Sequence, residues 1–239
     1  NWGRLGLTSM ESAFSGCGFL SSIPSDDTGA FSKVTTFESA FYQCSTLKVI
    51  PEGLLASAAE TESVNNMFYS CKAIETIPRQ LFFNCPKLSD AGSAFFYCES
   101  VEQIDKDFFS KNPELTDCSS TFSGMTKLAS VDKDLFANNP KITDLSAVFS
   151  YDAALTAIPA GIFRNQTECE SFRMAFNSTG LTEIPAGLFA SNTKCENFQQ
   201  TFSGTKIKTV PADLFKGCKS VDTFMSCFSG CSELQSIPA

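Results

Sequence analysis

Apolar and polar residues along this chain spell one phrase again and again. A phenylalanine recurs at Phe14, Phe41, Phe68, Phe95, Phe122, Phe149, Phe176, Phe202 and Phe228, spaced by 27 residues six times and then by 26 twice. Two positions ahead of each Phe, at offsets −7 and −4, are also apolar: Leu7 and Met10 before Phe14, Val34 and Phe37 before Phe41, on to Val221 and Phe224 before Phe228. Thr61 is the one polar residue among these 27 positions. Spacings of three and four place all three on one helix face, so each unit predicts a helix of about two to three turns. Pro86, Pro113 and Pro140 lie two residues before the first apolar position and suit a first helical turn. Asn112 and Asn139 precede two of them as candidate caps, and Thr167-x-x-Glu170 and Thr193-x-x-Glu196 read as capping boxes.

After each Phe comes a turn and then L-x-x-I, as in Leu47-x-x-Ile50 and Leu155-x-x-Ile158. Pro follows in seven of nine copies, and Asp105 and Asp132 in the other two. Branched residues bounded by turns predict a strand of about three residues, which the Pro ends because it has no N–H to give. A later x-x-L-F, such as Leu81-Phe82 or Leu188-Phe189, adds a second bulky rung. The stretch from Ser25 to Lys33 breaks the pattern: Asp27 and Thr28 take those two places, Phe31 is displaced, and an irregular second coil is expected.

Self-similarity at this period signals a solenoid, in which each unit buries its apolar face only against its neighbours. The expected fold is α/β: about nine coils of 26–27 residues in one domain over 1–239, with short parallel strands on one face and short helices on the other. Coils are expected to end near residues 24, 51, 78, 105, 132, 159, 185, 211 and 238.

Composition narrows the functional classes. The 24 Phe against one Trp and four Tyr fit one buried position repeated. A net charge of −8 disfavours nucleic acid and anionic membranes, both of which call for a basic patch. No run of 18 apolar residues exists, so no transmembrane segment is expected. Histidine is absent, which removes the usual general base, the commonest metal ligand and every Ser-His or Cys-His nucleophile pair. The expectation is a non-enzymatic protein with no cofactor and no metal. The chain opens and stops inside the phrase, shows no export signal, and reads as a processed or trimmed piece.

Four features compete as sites. Cys17, Cys44, Cys71 and Cys98 share one position in consecutive units, with Cys231 later, and Cys169 and Cys195 share another. Stacked side chains point the same way and eleven is an odd count, so buried free thiols are expected over disulfides or a metal site. Tyr42, Tyr69 and Phe96 each follow the recurrent Phe, with Tyr97 beside them, where later units carry Ser or Asn. They form the candidate partner contact, because clustered aromatics favour interfaces; the plainer alternative is that they pack over the ends of the helices. Asp105, Asp107, Asp132 and Asp134 form a weaker candidate acidic patch; Ca²⁺ is one reading, charge compensation with Lys106 and Lys133 the other. The outward strand residues, from Ser22 and Val49 to Thr209 and Ser236, are small and lack anchoring Tyr, Trp or Arg. Asn165-Gln-Thr167 and Asn177-Ser-Thr179 match the glycosylation sequon.

Phe41-Tyr42-Gln43-Cys44-Ser45-x-Leu47-x-x-Ile50-Pro51 and Phe228-Ser229-Gly230-Cys231-Ser232-x-Leu234-x-x-Ile237-Pro238 resemble the F-x-x-C-x-x-L-x-x-I core of BspA-like leucine-rich repeats, the bacterial surface protein 26-residue repeat family. Asp152, Thr179 and Thr205 depart from it by replacing the motif Cys. The resemblance implies a leucine-rich-repeat-type solenoid and a cell-surface or extracellular protein, often lipid-anchored, of host-associated bacteria. It implies a recognition or adhesion module, here expected to be a monomer, that binds a host or bacterial surface protein or glycan. A purely structural spacer within a larger surface protein and a hydrolase using paired carboxylates stand as alternatives.

Overall fold

The computed structural model describes residues 2–3 and 6–238. Copies of the phrase stack in register, and one continuous core runs through them from Met10 to Cys231. Phe41, Phe68, Phe95, Phe122, Phe149, Phe176 and Phe202 are fully buried, each ring stacked on the next at 5.3–6.4 Å.

Among the described residues there is no α-helix. The segment that spells helix is a backbone ladder between coils. In the Phe41 coil, the amides of Phe37, Ser39, Phe41 and Gln43 donate forward to the carbonyls of Ser63, Asn65, Met67 and Tyr69, at 2.7–2.9 Å. The alternate amides of Ala40, Tyr42 and Cys44 donate back three residues within their own coil, at 3.0–3.1 Å. Left-handed residues enforce this alternation: Ser39 has φ 53° and Gln43 has φ 57°, and the equivalent pairs recur in every copy. A left-handed residue every fourth position swings the next amide out of line with the carbonyl four residues back, so no helix propagates. Spacings of three and four belong equally to a chain of three-residue turns, and those are what forms.

The start of the ladder has its own device. Ser9, Thr36, Ser63, Asp90, Asp117, Asp144, Ser171, Asn197 and Thr223 are linked in one column of parallel bridges. Each side-chain oxygen accepts the amide two residues on, at 2.7–3.3 Å. Short oxygen-bearing side chains are what such a turn requires. The strands expected at L-x-x-I are mostly absent. Among the described residues that side carries two bridges, Val49–Thr76 and Thr209–Ser236.

The expected helix starts are turns as well. Pro86 lies inside Cys85–Leu88, closed by the Leu88 amide on the Cys85 carbonyl at 3.1 Å, where its fixed φ suits the second turn residue. Asn112 and Asn139 are not caps. With Gln166 and Asn192 they form a fully buried amide ladder, each NH₂ bridging two carbonyls of the preceding coil at 2.7–3.2 Å. The irregular second coil is held by buried Asp26, which accepts the Ala30 and Phe31 amides and the Ser57 hydroxyl. Phe31 is fully buried against Phe37.

Ring spacing reveals the curvature. Tyr42, Tyr69 and Phe96 stack at 4.6–4.7 Å on the ladder surface. The x-x-L-F rings from Phe82 to Phe215 stack at 6.0–6.3 Å. Coils lie closest on the ladder side, so the ladder surface is concave and the L-F side is splayed.

All eleven cysteines are unpaired. Cys44, Cys71 and Cys98 donate S–H to the carbonyls of Phe14, Phe41 and Phe68 at 3.0–3.3 Å, and Cys231 does so to Phe202. Burial, chiefly, pushes Cys44 up to about 11 and Cys71 to about 12, which keeps them as thiols that donate. Asp152 takes the same column position. It is fully buried; Oδ1 accepts the Met125 amide at 2.7 Å, and Oδ2 has no partner. Burial pushes its pKa well above 3.8 despite the amides of Met125 and Gly124.

Two outcomes follow from this packing. Phe122→Ala removes a fully buried ring stacked on both neighbours and costs about 3–5 kcal/mol, measured by urea unfolding. The folded pKa of Asp152 lies above its unfolded value, so its contribution is complete below about pH 3.8 and is lost as pH rises toward the folded pKa. Asp152→Asn has no charge to bury and removes that loss. The variant therefore melts higher than the parent at pH 7, and the gap closes near pH 3.5–4, read from thermal midpoints across pH.

Candidate recognition surface

The concave surface is built from the residues flanking each recurrent Phe. Ser15, Ser203 and Ser229 occupy the position just after the Phe and reach the surface, whereas Ser123, Ser150 and Asn177 at the same position are buried. Tyr42, Tyr69 and Phe96 occupy it in three consecutive coils and are half-buried there. Their rings lie 11–14° from parallel. The stack turns a corner at its end, where the Tyr97 ring meets Phe96 at 4.3 Å and 68°. Tyr97 itself has φ 56°, and its ring lies across Gly124, where a Cβ would sit 2.2 Å from it. A glycine at 124 is therefore required twice, for its φ of 76° and for the ring above it.

The structure brings the four aromatics of the sequence-predicted contact into one patch. Burial, followed by the neighbouring Tyr42 and Tyr97 phenols, raises the Tyr69 pKa above 10. A charged pair, Lys72–Glu99 at 2.8 Å, borders the stripe, and the Lys72 ammonium also feels Tyr97. An apolar centre with a charged rim is the anatomy of a protein contact.

The acidic candidates lie elsewhere, beyond the I-P positions. Arg79 pairs with Asp105 at 3.5 Å and with Asp107, and Asp134 is held by Arg164 and by Lys133 at 3.0 Å. Asp105 and Asp132 each spend an oxygen on the amide two residues on. Among the described residues no group of three or more His, Cys, Asp or Glu is placed to hold a metal ion. No described helix is long and apolar enough to cross a membrane.

Sequence reasoning missed two columns. The Ser/Thr/Asp/Asn column that closes the ladder was legible as a polar position five residues before every recurrent Phe. Three residues earlier still, Lys33, Glu60, Lys87, Glu114, Lys141, Glu168 and Lys194 alternate in sign. The structure pairs Glu60 with Lys87, Glu114 with Lys141 and Glu168 with Lys194 across coils. Strict alternation at the repeat period is a direct signal of in-register stacking.

Comparison with known proteins gives the scaffold its place. Among curated proteins none matches the sequence. A leucine-rich repeat protein from Bacteroides ovatus is 17% identical, covers 97% of this chain and 76% of its own, and superposes with a TM-score of 0.30. A leucine rich cell surface protein from Faecalibacterium prausnitzii is 16% identical, with coverages of 95% and 68% and a TM-score of 0.29. TLR13 in complex with ssRNA13 is 15% identical with a TM-score of 0.43; the match covers 82% of this chain and 35% of the TLR13 chain. No site is carried over from these likenesses. The profile of the BspA type Leucine rich repeat region matches residues 75–222 in 6 copies, more than half of the sequence, and the chain belongs to that family.

Proposed function

We propose that this chain is a single non-enzymatic recognition domain of a surface-exposed or secreted protein, and that it binds a protein partner through the concave aromatic stripe. The observation that carries this reading is the half-buried stack of Tyr42, Tyr69 and Phe96 at a position where other coils carry Ser or Asn. Buried Phe residues already satisfy the core in those coils, so the fold has no need of aromatics one residue later. Membership in a repeat family built as a scaffold is compatible with this role and does not by itself name a ligand.

Ring orientation favours protein over glycan. A sugar stacks on an open aromatic face, and here adjacent faces cover one another at 4.6–4.7 Å. What the stripe offers is ring edges and phenol hydroxyls beside the Lys72–Glu99 pair. Tyr presented this way gives large rigid contact area with hydrogen bonding, as in protein-binding loops. The same self-stacking is what a purely structural spacer would show.

Replacing the stripe by the residue other coils carry separates the two. Tyr42→Ser, Tyr69→Ser and Phe96→Ser together keep the ladder intact. Screening against extracellular-matrix proteins, surface proteins and glycans is expected to find a protein ligand. The triple variant, with unchanged circular dichroism, binds it at least about tenfold more weakly. Silence across the screen, or undiminished binding by the variant, would leave the spacer reading in place.

A further inference from the structure

One margin of the concave surface carries a strip of negative charge. Asp90, Asp117 and Asp144 sit in the column of parallel bridges, in three consecutive coils. Glu62, Glu170, Glu196 and Asp222 stand one residue before that column, and Glu11 and Glu38 two residues after it. Each of the nine copies thus places one carboxylate there, at one of three neighbouring positions. The three Asp of the column are half-buried and the other six carboxylates are exposed. Arg173 is the one base at these positions.

The fold does not require this charge. Ser9, Ser63 and Ser171 close the same turn through a hydroxyl. Thr35, Ser89 and Thr116 occupy the preceding position as neutral residues. Like charges on adjacent rungs also repel. Nor is the charge neutralised. Two residues earlier in the chain, Glu60, Glu114 and Glu168 each pair with a lysine of the next coil. Asp90 takes hydrogen bonds from Ser63 and Asn65 at 3.2–3.3 Å. Among the described residues no strip carboxylate forms an ion pair, and neither does Arg173. The chain holds 26 acidic and 18 basic residues; nine and one of them lie on the strip, and the remaining 17 of each sign balance. The net charge of −8 is therefore the charge of the strip.

We propose that the protein partner of the concave surface is basic, and that a segment of it rich in Lys and Arg lies along the strip, parallel to the solenoid axis. Apolar residues of the same segment meet Tyr42, Tyr69 and Phe96, so the inference rests on the protein-binding reading of that stripe. The distribution of charge chooses the occupant. One carboxylate per coil is a linear array, and among the described residues no three acidic groups converge on a metal ion. An extended polycation can meet such an array where a single ion cannot. A concave surface of one sign focuses its potential and draws in a partner of the opposite sign. The stripe on the same surface supplies apolar ring edges and phenol hydroxyls, which a protein segment can use along with the charge.

Fluorescence anisotropy with two labelled synthetic peptides of equal length tests this. One is built from Lys, Leu and Ser, and in the other Glu replaces every Lys. The intact chain is expected to bind the Lys peptide and not the Glu peptide. Asp90→Ser, Asp117→Ser and Asp144→Ser together keep the turn oxygen and weaken binding at least about tenfold at about 20 mM salt, and less at about 500 mM. Glu52→Gln, Glu75→Gln and Glu102→Gln remove the same charge from exposed positions outside the ladder and change binding less than about twofold. Circular dichroism checks each fold. A parent with no preference for the Lys peptide overturns the proposal, and so do equal losses in the two charge variants. The stripe variant, Tyr42→Ser with Tyr69→Ser and Phe96→Ser, separates the two readings. Loss in the strip variant alone keeps the basic occupant and sinks the aromatic contact. Loss in the stripe variant alone keeps the aromatic contact and overturns the basic occupant.

Discussion

Forward donation of alternate backbone amides, from each coil to the next, is the interaction on which the rest of this structure depends. It consumes the amides of residues such as Phe37, Ser39, Phe41 and Gln43 in bonds of 2.7–2.9 Å. The chain reaches this geometry by placing residues such as Ser39 and Gln43 in the left-handed region. For non-glycine residues each such placement costs roughly 1–2 kcal/mol. A lone coil could not sustain that, because its outward amides would face only water. Stacking returns the cost, since every left-handed residue aligns an amide with a neighbour's carbonyl. Local conformation and tertiary assembly are thus one event, which is the cooperative logic of repeat proteins.

Once the ladder sets register, identical positions fall into columns, and each column solves a local problem. Cys44, Cys71 and Cys98 are small enough for the core and donate a weak hydrogen bond to the carbonyl one coil back. Thr205 keeps a donor at the same position by turning its hydroxyl to the Phe202 carbonyl of its own coil. Asp152 at the same position accepts the Met125 amide, its other oxygen is unpartnered, and burial pushes its pKa up. The amide ladder from Asn112 to Asn192 does for the L-F turns what the thiols do for the Phe turns. The thiols and the amides each give a carbonyl of the preceding coil its hydrogen bond.

The period, the buried Phe column and the in-register stack were legible because they depend only on which residues recur. Helix against turn was not. Leu88, Ala91 and Phe95 have the spacing of both, and the deciding feature, left-handed φ, is written as glycine in only some copies. Gly16, Gly124, Gly204 and Gly230 advertise it; Ser39, Asn66, Met174 and Gln200 adopt it silently. Asn112 before Pro113 misled for a related reason, since Asn followed by Pro fits a helix cap and the opening of a type I turn equally. The strand was sought at L-x-x-I because branched residues mark pleated surfaces. Here that apolar segment is folded into turns by bonds such as Leu47 to Cys44, and the pairing passes to the Ser/Gly-rich stretch beside the Phe.

The candidate site shows the same division. That Tyr42, Tyr69 and Phe96 form a column could be counted from the sequence; which side of the solenoid they occupy could not. Curvature depends on the difference between 4.6–4.7 Å on one side and 6.0–6.3 Å on the other. That difference arises from the bulk of Phe82, Phe109 and Phe136 against the Ser and Gly of the ladder. The same compression that makes the ladder side concave closes the aromatic faces on one another. A solenoid of this kind can carry aromatics on its inner surface only as stacked edges. Any ligand read there must be recognised by edges, hydroxyls and the charged rim, and that constraint comes from the backbone spacing rather than from the choice of Tyr or Phe.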